Sequence, residues 1–181
     1  ENIIVKNPTN GTTIPSREVY NKQVFNEEQL EYFMKIIQED FEWYDFFFLE
    51  LTTGLRRGEI CGLKWCDFDE EKGTLKIERS VVRKENGDII ITSTKTHNSD
   101  RMILLPPSTR KILSERERES EWIFPRKNNN SLPMKPQTAY HHLKTLLKRA
   151  GLPMIRFHDL RHTFATHALT SGIDAKTLSK M

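Results

Sequence analysis

The chain has 181 residues, two cysteines and a formal net charge of +3, and this length allows the core of one domain with at most a short appendage. It contains neither an apolar run long enough to cross a membrane nor the pattern of a secretory signal peptide. We therefore expect a soluble, cytoplasmic protein with no membrane partner, in which Cys61 and Cys66 are reduced thiols.

Positive charge is concentrated near the C-terminus. Residues 126–181 contain ten Lys or Arg against only Asp159 and Asp174, a net charge of +8, so residues 1–125 carry −5. A basic segment of this kind is typical of a protein that binds a polyanion, although a solvated basic surface would have the same composition.

The first part of the chain is predicted to be helical after a linker at residues 1–22, which are rich in turn signals. Asn26 with Gln29 three residues later predicts a capped helix start. A second helix follows, and its apolar residues are predicted to lie in the core: Phe41, Tyr44, Phe47, Phe48 and Leu51. Gly54 is expected to end this helix, and Arg56 to open a short third helix that ends near Trp65.

The middle of the chain has the residue pattern of β-strands. Residues 74–83 and 88–94 flank Asn86-Gly87 and predict a hairpin, and residues 101–105 add a third strand to a small antiparallel sheet. A charged helix is predicted from Pro107 to about Ser120, and residues 125–136 are predicted to form a loop. The expected fold class is α+β.

Helices are predicted again at residues 137–150 and 157–170, with a last one capped by Asp174. The helix at 137–150 is amphipathic, with Tyr140 on its apolar side and four residues on its polar side: Gln137, His141, Lys144 and Lys148. Such side chains suit a DNA groove or its phosphates, and they are equally typical of any surface helix.

The most informative cluster is His158, Arg161 and His162, for which three interpretations exist. The spacing of the histidines matches a zinc motif, but the residue between them is Asp159 rather than glutamate, and Arg161 would place a positive charge beside the metal. The histidines could also be ordinary polar surface residues. The third interpretation is an anion site, because His158 and Arg161 are three residues apart and share one helix face.

Four segments decide between these interpretations: "TGLRRGEICGLKWCDFD", "TSTKTHNSDRMILLP", "EWIFP" and "HDLRHTFATHALTSGIDAKTLSKM". In this order they resemble the signature segments of the tyrosine recombinase, or phage integrase, family, and most closely the integrases of conjugative transposons and phages. The resemblance covers the chain from about residue 23 and implies a mostly helical α+β catalytic domain with a small three-stranded antiparallel sheet.

The resemblance also implies roles for individual residues. Arg56 and Arg161 would hold the scissile phosphate, and Lys95 would be the general acid. His158 would bond the phosphate and assist proton transfer, and Glu59 would have an orienting role and would not react itself. No metal and no other cofactor is implied. Double-stranded DNA is the implied substrate, acted on by a homo-tetramer.

The family's nucleophilic tyrosine and a second histidine or tryptophan follow the last segment, and none of the four tyrosines, Tyr20, Tyr32, Tyr44 and Tyr140, stands in that relation to His158. We therefore expect residues 23–181 to be a catalytic domain truncated before its nucleophile, residues 1–22 to lead from a missing N-terminal DNA-binding region, and the fragment to lack cleavage activity. The alternatives are a non-catalytic DNA-binding module and a type IB topoisomerase.

Overall fold

The structure, a computed structural model, describes residues 11–13, 24–93 and 101–170. The helices within these ranges are α1 (Glu27–Gln38), α2 (Tyr44–Thr53), α3 (Arg57–Cys61), α4 (Pro107–Glu115), α5 (Pro136–Ala150) and α6 (Phe157–Thr170). The strands are β1 (Phe68–Asp69), β2 (Thr74–Ile77), β3 (Arg79–Arg83), β4 (Ile89–Ser93), β5 (Arg101–Leu104), β6 (Pro125–Arg126) and β7 (Asn129–Pro133). The mostly helical α+β class is confirmed. The helix predicted from Asp174 lies outside the described residues.

The predicted ends of α1 and α2 are confirmed. Asn26 accepts a hydrogen bond from the Gln29 backbone at 2.8 Å, and the Gln29 side chain accepts one from the Asn26 backbone at 3.1 Å. This reciprocal capping box satisfies two amides at the helix start. Gly54 ends α2 with φ at +61°, where side chains are disfavoured, and a β-carbon there would collide with the Phe164 ring of α6. Glycine therefore lets α6 lie directly against the end of α2.

Two predicted helix ends are wrong, and tertiary contacts explain both. The short helix α3 ends at Cys61 rather than near Trp65, because Lys64 pairs with Trp122 in a β-bridge and the Trp65 amide donates to the Glu121 carbonyl oxygen. Helix α4 ends at Glu115 rather than at Ser120, because Arg116 leaves the helix to bind Asp45 and the Ile123 carbonyl oxygen.

Two further expectations are corrected. Phe41 was expected in the core but is 89% exposed, since it lies in the turn before α2 begins at Tyr44. Residues 125–136 are not only a loop, because β6 and β7 form a short hairpin there before α5 begins.

Strands β1 to β5 form two separate sheets where one three-stranded sheet was predicted from residues 74–83, 88–94 and 101–105. Strand β2 pairs with β1 and β5, whereas β3 pairs with β4. The chain changes partner at Glu78, next to Arg79, whose guanidinium binds Asp67 at 2.5 Å and Glu78 at 2.9 Å. These ion pairs draw Arg79 toward the turn after α3 and interrupt the ladder.

An aromatic core holds the helices together. Phe46 and Phe47 of α2 contact the ring of Phe157 at the start of α6, and Phe33 of α1 packs edge-on against Phe47. Helix α2 also packs against α3, which packs in turn against β3 and α5. The starts of α3 and α6 are thereby brought to one side of the domain. In the parts of the chain that the structure describes, no helix has the length and apolar character to cross a membrane.

Candidate active site

Arg56 lies at the N-terminus of α3 and is held there by Glu59. The Glu59 carboxylate accepts hydrogen bonds from the Arg56 backbone at 2.9 Å and from the Arg56 guanidinium at 2.8 Å. Glu59 is buried, whereas 60% of the Arg56 side chain is exposed. Burial alone would raise the pKa of Glu59, but its hydrogen bonds and the charge of Arg101 outweigh this, so its pKa is lowered and it is ionised. The buried Glu59 carboxylate therefore holds the exposed Arg56 guanidinium in a fixed position.

Arg161 comes to the same place from the far end of the chain. Its guanidinium, half-buried beside α2, donates a hydrogen bond to the carbonyl oxygen of Gly54, two residues before Arg56. Its pKa is lowered by burial first and then by the positive charge of Arg56. Two arginines that repel each other in this way form a strong site for an anion.

His158 lies in the first turn of α6 and lines the same cleft as Arg56. Its pKa is lowered by partial burial and then by the charges of His162 and Arg161. At neutral pH the ring is therefore uncharged, with one nitrogen that donates and one that accepts. The rings of His158 and His162 meet edge-on with their centres 4.8 Å apart.

The start of α6 resembles the start of α3. Asp159 is buried, and it accepts hydrogen bonds from the Arg156 backbone at 2.8 Å and from the Arg156 guanidinium at 3.3 Å. In both helices a carboxylate in the first turn bonds back to the arginine that precedes the helix. This arrangement fixes the helix starts that present Arg56 and His158.

The cleft between these helix starts has a volume of about 630 Å³ and is rich in arginine. Besides Arg56 and His158, the residues that contribute charge or polarity to it are Glu50, Arg57, Ser80, Arg83, Gln137, Tyr140 and Arg156. Burial raises the pKa of Glu50 well above its usual value and so favours its neutral form. A neutral Glu50 leaves the positive charge of the arginines uncancelled.

Arg57 and Arg101 are two functional candidates that sequence reasoning missed. Arg57 looks like surface charge, yet its guanidinium lies 5.6 Å from the ring centre of Tyr140 and 5.4 Å from that of Phe157. Arg101 binds both oxygens of Glu59, at 3.2 and 2.9 Å. The sequence carries no signal for the Arg101 contact, because the two partners lie on distant elements. Lys95, the predicted general acid, lies outside the described residues.

The four polar residues predicted on α5 lie along one side of that helix. The side chains of Gln137 and His141 are hydrogen bonded at 3.0 Å, and the Lys144 ammonium lies 4.7 Å from the ring centre of Tyr140. Lys148 is exposed, and Gln137 also lines the cleft. Tyr140 is half-buried and packs against the core, as its place on the apolar side predicts, and it also lines the cleft. The α5 side chains are therefore continuous with the arginine site.

Among the residues that the structure describes, no group of three or more His, Cys, Asp or Glu side chains is arranged to hold a metal ion. The contact between His158 and His162 is edge-on. The charged side chains that act on His158 are the cationic Arg156 and Arg161 and the anionic Asp159, which is paired with Arg156. This environment favours an anion over a cation.

Known proteins resemble the chain in both sequence and fold. The chain matches the phage integrase family over residues 23–181. It is 31% identical over 218 residues to a XerC-like tyrosine recombinase of Caldanaerobacter subterraneus subsp. tengcongensis, covering 100% of this chain and 54% of that protein. The chain spans about half the length of the curated relatives it matches.

Solved structures show the same fold. The Tn1549 transposon integrase in complex with a circular intermediate DNA superposes with a TM-score of 0.80 at 23% identity, covering 90% of this chain and 58% of that chain. A lambda integrase tetramer bound to a Holliday junction superposes with a TM-score of 0.65 at 19% identity, covering 93% and 48%. The resemblance seen in the four sequence segments is confirmed, and the chain belongs to the phage integrase family, that of the tyrosine recombinases.

Proposed function

We propose that the chain is the catalytic domain of a site-specific DNA recombinase that cuts and rejoins strands through a 3′-phosphotyrosyl intermediate. The observation that carries the proposal is that Arg56 and His158 line one arginine-rich cleft, with Arg161 close enough for its charge to act on both of them. Family membership and the names of the relatives support the same chemistry. The reaction would take place in the cytoplasm, on bacterial DNA.

In the proposed reaction, Arg56 and Arg161 bind the non-bridging oxygens of the scissile phosphate. A guanidinium offers a planar pair of donors that matches two phosphate oxygens, and its charge is most valuable when negative charge builds up in the transition state. Uncharged His158 can donate one hydrogen bond to the same phosphate and accept a proton on its other nitrogen. No metal ion or nucleotide is required by this scheme.

The bond changes balance without a cofactor. The tyrosine hydroxyl gives its proton to the accepting nitrogen of His158 as its oxygen forms a bond to phosphorus. The bond from phosphorus to the 5′ oxygen breaks, and the 5′ oxygen takes a proton that we assign to Lys95. The phosphotyrosyl ester conserves the energy of the broken bond, so a 5′ hydroxyl of another strand can reverse the step. We propose that the nucleophilic tyrosine is not among residues 1–181, and that these residues alone form no covalent link to DNA.

The polar side of α5 is the proposed DNA-contacting surface. Lys144 and Lys148 would bind phosphates, while Gln137 and His141 lie where the helix meets the cleft. Assembly as a homo-tetramer on two duplexes is part of the proposal, supported by the tetramer that lambda integrase forms on a Holliday junction.

The test is a covalent trapping assay on the full-length gene product. The substrates are overlapping nicked duplexes, or tiles, that together cover the DNA on either side of the gene. Each tile is incubated with the protein, and the products are separated on a denaturing gel. We expect a metal-independent protein–DNA adduct that falls by about 100-fold or more in Arg161→Ala, since loss of one oxyanion donor has that order of effect.

The matched control is Arg118→Ala, which removes one exposed guanidinium that binds Glu70 outside the cleft. It should leave the adduct yield within about twofold of wild type, because an exposed ion pair of this kind contributes little. Clear DNA binding with no adduct from any tile would contradict the proposal and favour a non-catalytic DNA-binding module.

A further inference from the structure

Arg101 has no role in the chemistry described above, and it makes the best-defined side-chain contact at the site. It is the first residue of β5, where its backbone pairs with Ile77 of β2. Its guanidinium reaches from the sheet to α3 and binds both oxygens of Glu59, at 3.2 and 2.9 Å. Only 12% of the side chain is exposed. A two-bond contact between buried groups fixes both partners in position.

We infer that Arg101 is a positioning residue for the proposed reaction: it fixes the Glu59 carboxylate against β5, so that Glu59 can hold Arg56 in the orientation that binds the phosphate. The inference rests on the proposed function, and it assigns to Arg101 an effect on Arg56 that acts through Glu59.

The geometry supports this chain of contacts. Glu59 accepts from two arginines at once: one oxygen is shared by Nη1 of Arg56 and Nη1 of Arg101, and the other by the Arg56 amide and Nη2 of Arg101. Arg56 is largely exposed and α3 has only five residues. A helix this short does not fix an exposed side chain by itself. The connection to the sheet through Arg101 supplies the rigidity that α3 lacks.

The charges around Glu59 also support a positioning role for Arg101. The titratable groups around Glu59 are Arg56 on its own helix, Arg101 from β5, Arg161 from α6 and the carboxyl of Glu50 from α2. Burial opposes ionisation of Glu59, and the hydrogen bond from Arg101 is the largest contribution that favours it. Without Arg101, the pKa of Glu59 should rise. A protonated Glu59 would accept fewer hydrogen bonds and release Arg56.

The chain provides a matched control in Arg79. This residue also forms a largely buried ion pair, to Asp67 at 2.5 Å, but it lies outside the residues that line the cleft. Loss of Arg79 tests what the removal of any buried ion pair does to the domain. Loss of Arg101 tests that effect together with the proposed positioning of Arg56.

The first experiment measures single-turnover cleavage of flanking DNA by the full-length gene product across pH 5 to 9. We expect Arg101→Met to slow cleavage by about 100-fold at saturating DNA, the effect of a small misplacement of a catalytic group. Arg101→Lys, which retains the charge and one donor, should lose about tenfold. Arg79→Met should reduce thermal stability and leave the pH profile of cleavage unchanged.

The pH profile distinguishes positioning from a general loss of structure. The pKa of Glu59 is low in the wild type, so its carboxylate persists into acid. In Arg101→Met the pKa rises, and cleavage should begin to fall at a higher pH. Glutamine cannot ionise, so the cleavage rate of Glu59→Gln should not show this decline at low pH. Adding Arg101→Met to Glu59→Gln should lower the cleavage rate by less than a further twofold. Additive losses in the double variant, or identical profiles for Arg101→Met and Arg79→Met, would overturn the inference.

A second measurement does not depend on cleavage. The 181-residue chain is labelled with ¹³C and ¹⁵N and titrated with pH. NMR then follows the signals of the Glu59 carboxyl carbon and the Arg56 Nε. We expect Arg101→Met to raise the apparent pKa of Glu59 and shift the Arg56 signal, and Arg79→Met to do neither. Unchanged signals in Arg101→Met would overturn the inference even if the protein cuts DNA. If wild type cuts no DNA, the proposed function fails, and the titration still decides whether Arg101 holds Glu59 and Arg56.

Discussion

Replacement of Glu50 by glutamine should stabilise the domain at neutral and alkaline pH. Glu50 is buried in α2, and its Oε2 atom has no hydrogen-bond partner among the described residues. Burial raises its pKa well above the usual value, only partly opposed by the charge of Arg161. Glutamine has nearly the same shape but cannot ionise, so the substitution isolates the part of the unfolding free energy that depends on the ionisation of Glu50.

The sign of the pH dependence follows from the raised pKa. The folded state holds a proton on Glu50 at pH values where the unfolded chain has released it, so folding binds a proton. The contribution of Glu50 to stability is therefore most favourable at low pH. It is lost as the pH rises from the ordinary carboxyl pKa through the raised folded-state value. The Glu50→Gln variant should not show this loss.

The magnitude follows from the raised pKa, because glutamine keeps a polar atom in the place of the unpaired oxygen and differs from glutamate in being unable to ionise. Each unit by which folding raises a carboxyl pKa costs about 1.4 kcal/mol at pH values above both pKa values. Since the pKa of Glu50 is raised well above its usual value, we expect Glu50→Gln to exceed wild type by more than about 1 kcal/mol in unfolding free energy near pH 8, and by less near pH 5. Urea denaturation followed by circular dichroism at several pH values measures this difference. Glu31→Gln, at an exposed position of α1, is the control for loss of a carboxylate.

Two results would refute this reasoning. Parallel curves of stability against pH for wild type and Glu50→Gln would mean that Glu50 has an ordinary pKa. A variant that is less stable than wild type at pH 8 would mean that Glu50 is ionised and acts as a counter-charge for Arg161 or Arg57.

Other substitutions test the fold and the proposed DNA surface. Gly54→Ala should lower the unfolding free energy by more than about 1 kcal/mol, because φ is positive there and the new methyl group would collide with Phe164. Thermal denaturation measures this loss, and an unchanged melting midpoint would contradict the prediction. Lys148→Ala should weaken DNA binding and reduce the slope of log affinity against log salt concentration by about 1, as for one lost phosphate contact. Fluorescence anisotropy at several salt concentrations measures this slope. An unchanged slope would mean that Lys148 does not contact a phosphate.

Features that depend on neighbouring residues could be predicted from the sequence. The cap formed by Asn26 and Gln29 and the helix end at Gly54 arise from contacts within a few residues. The placement of His158 and Arg161 in the first turns of one helix follows equally from local spacing. Resemblance to a known family then joined this segment to Arg56, which periodicity could not have done.

Features that depend on distant partners could not be predicted. Helix α4 ends early because Arg116 binds Asp45, and the β-ladder breaks where Arg79 binds Asp67. The contact between Arg101 and Glu59 is of the same kind, since it joins a strand to a helix far away in sequence. Each is an ion pair that local propensity does not encode.

In the proposed reaction, Arg56 and Arg161 act by neutralising the charge on the scissile phosphate. The most direct measurement compares cleavage of a normal phosphodiester with that of a methylphosphonate, which carries a methyl group in place of one charged oxygen, by wild type, Arg56→Ala and Arg161→Ala in the full-length gene product. We predict that each arginine variant loses about 100-fold or more on the phosphodiester and far less on the neutral linkage. Equal losses on both substrates would contradict the claim and assign these arginines a structural role.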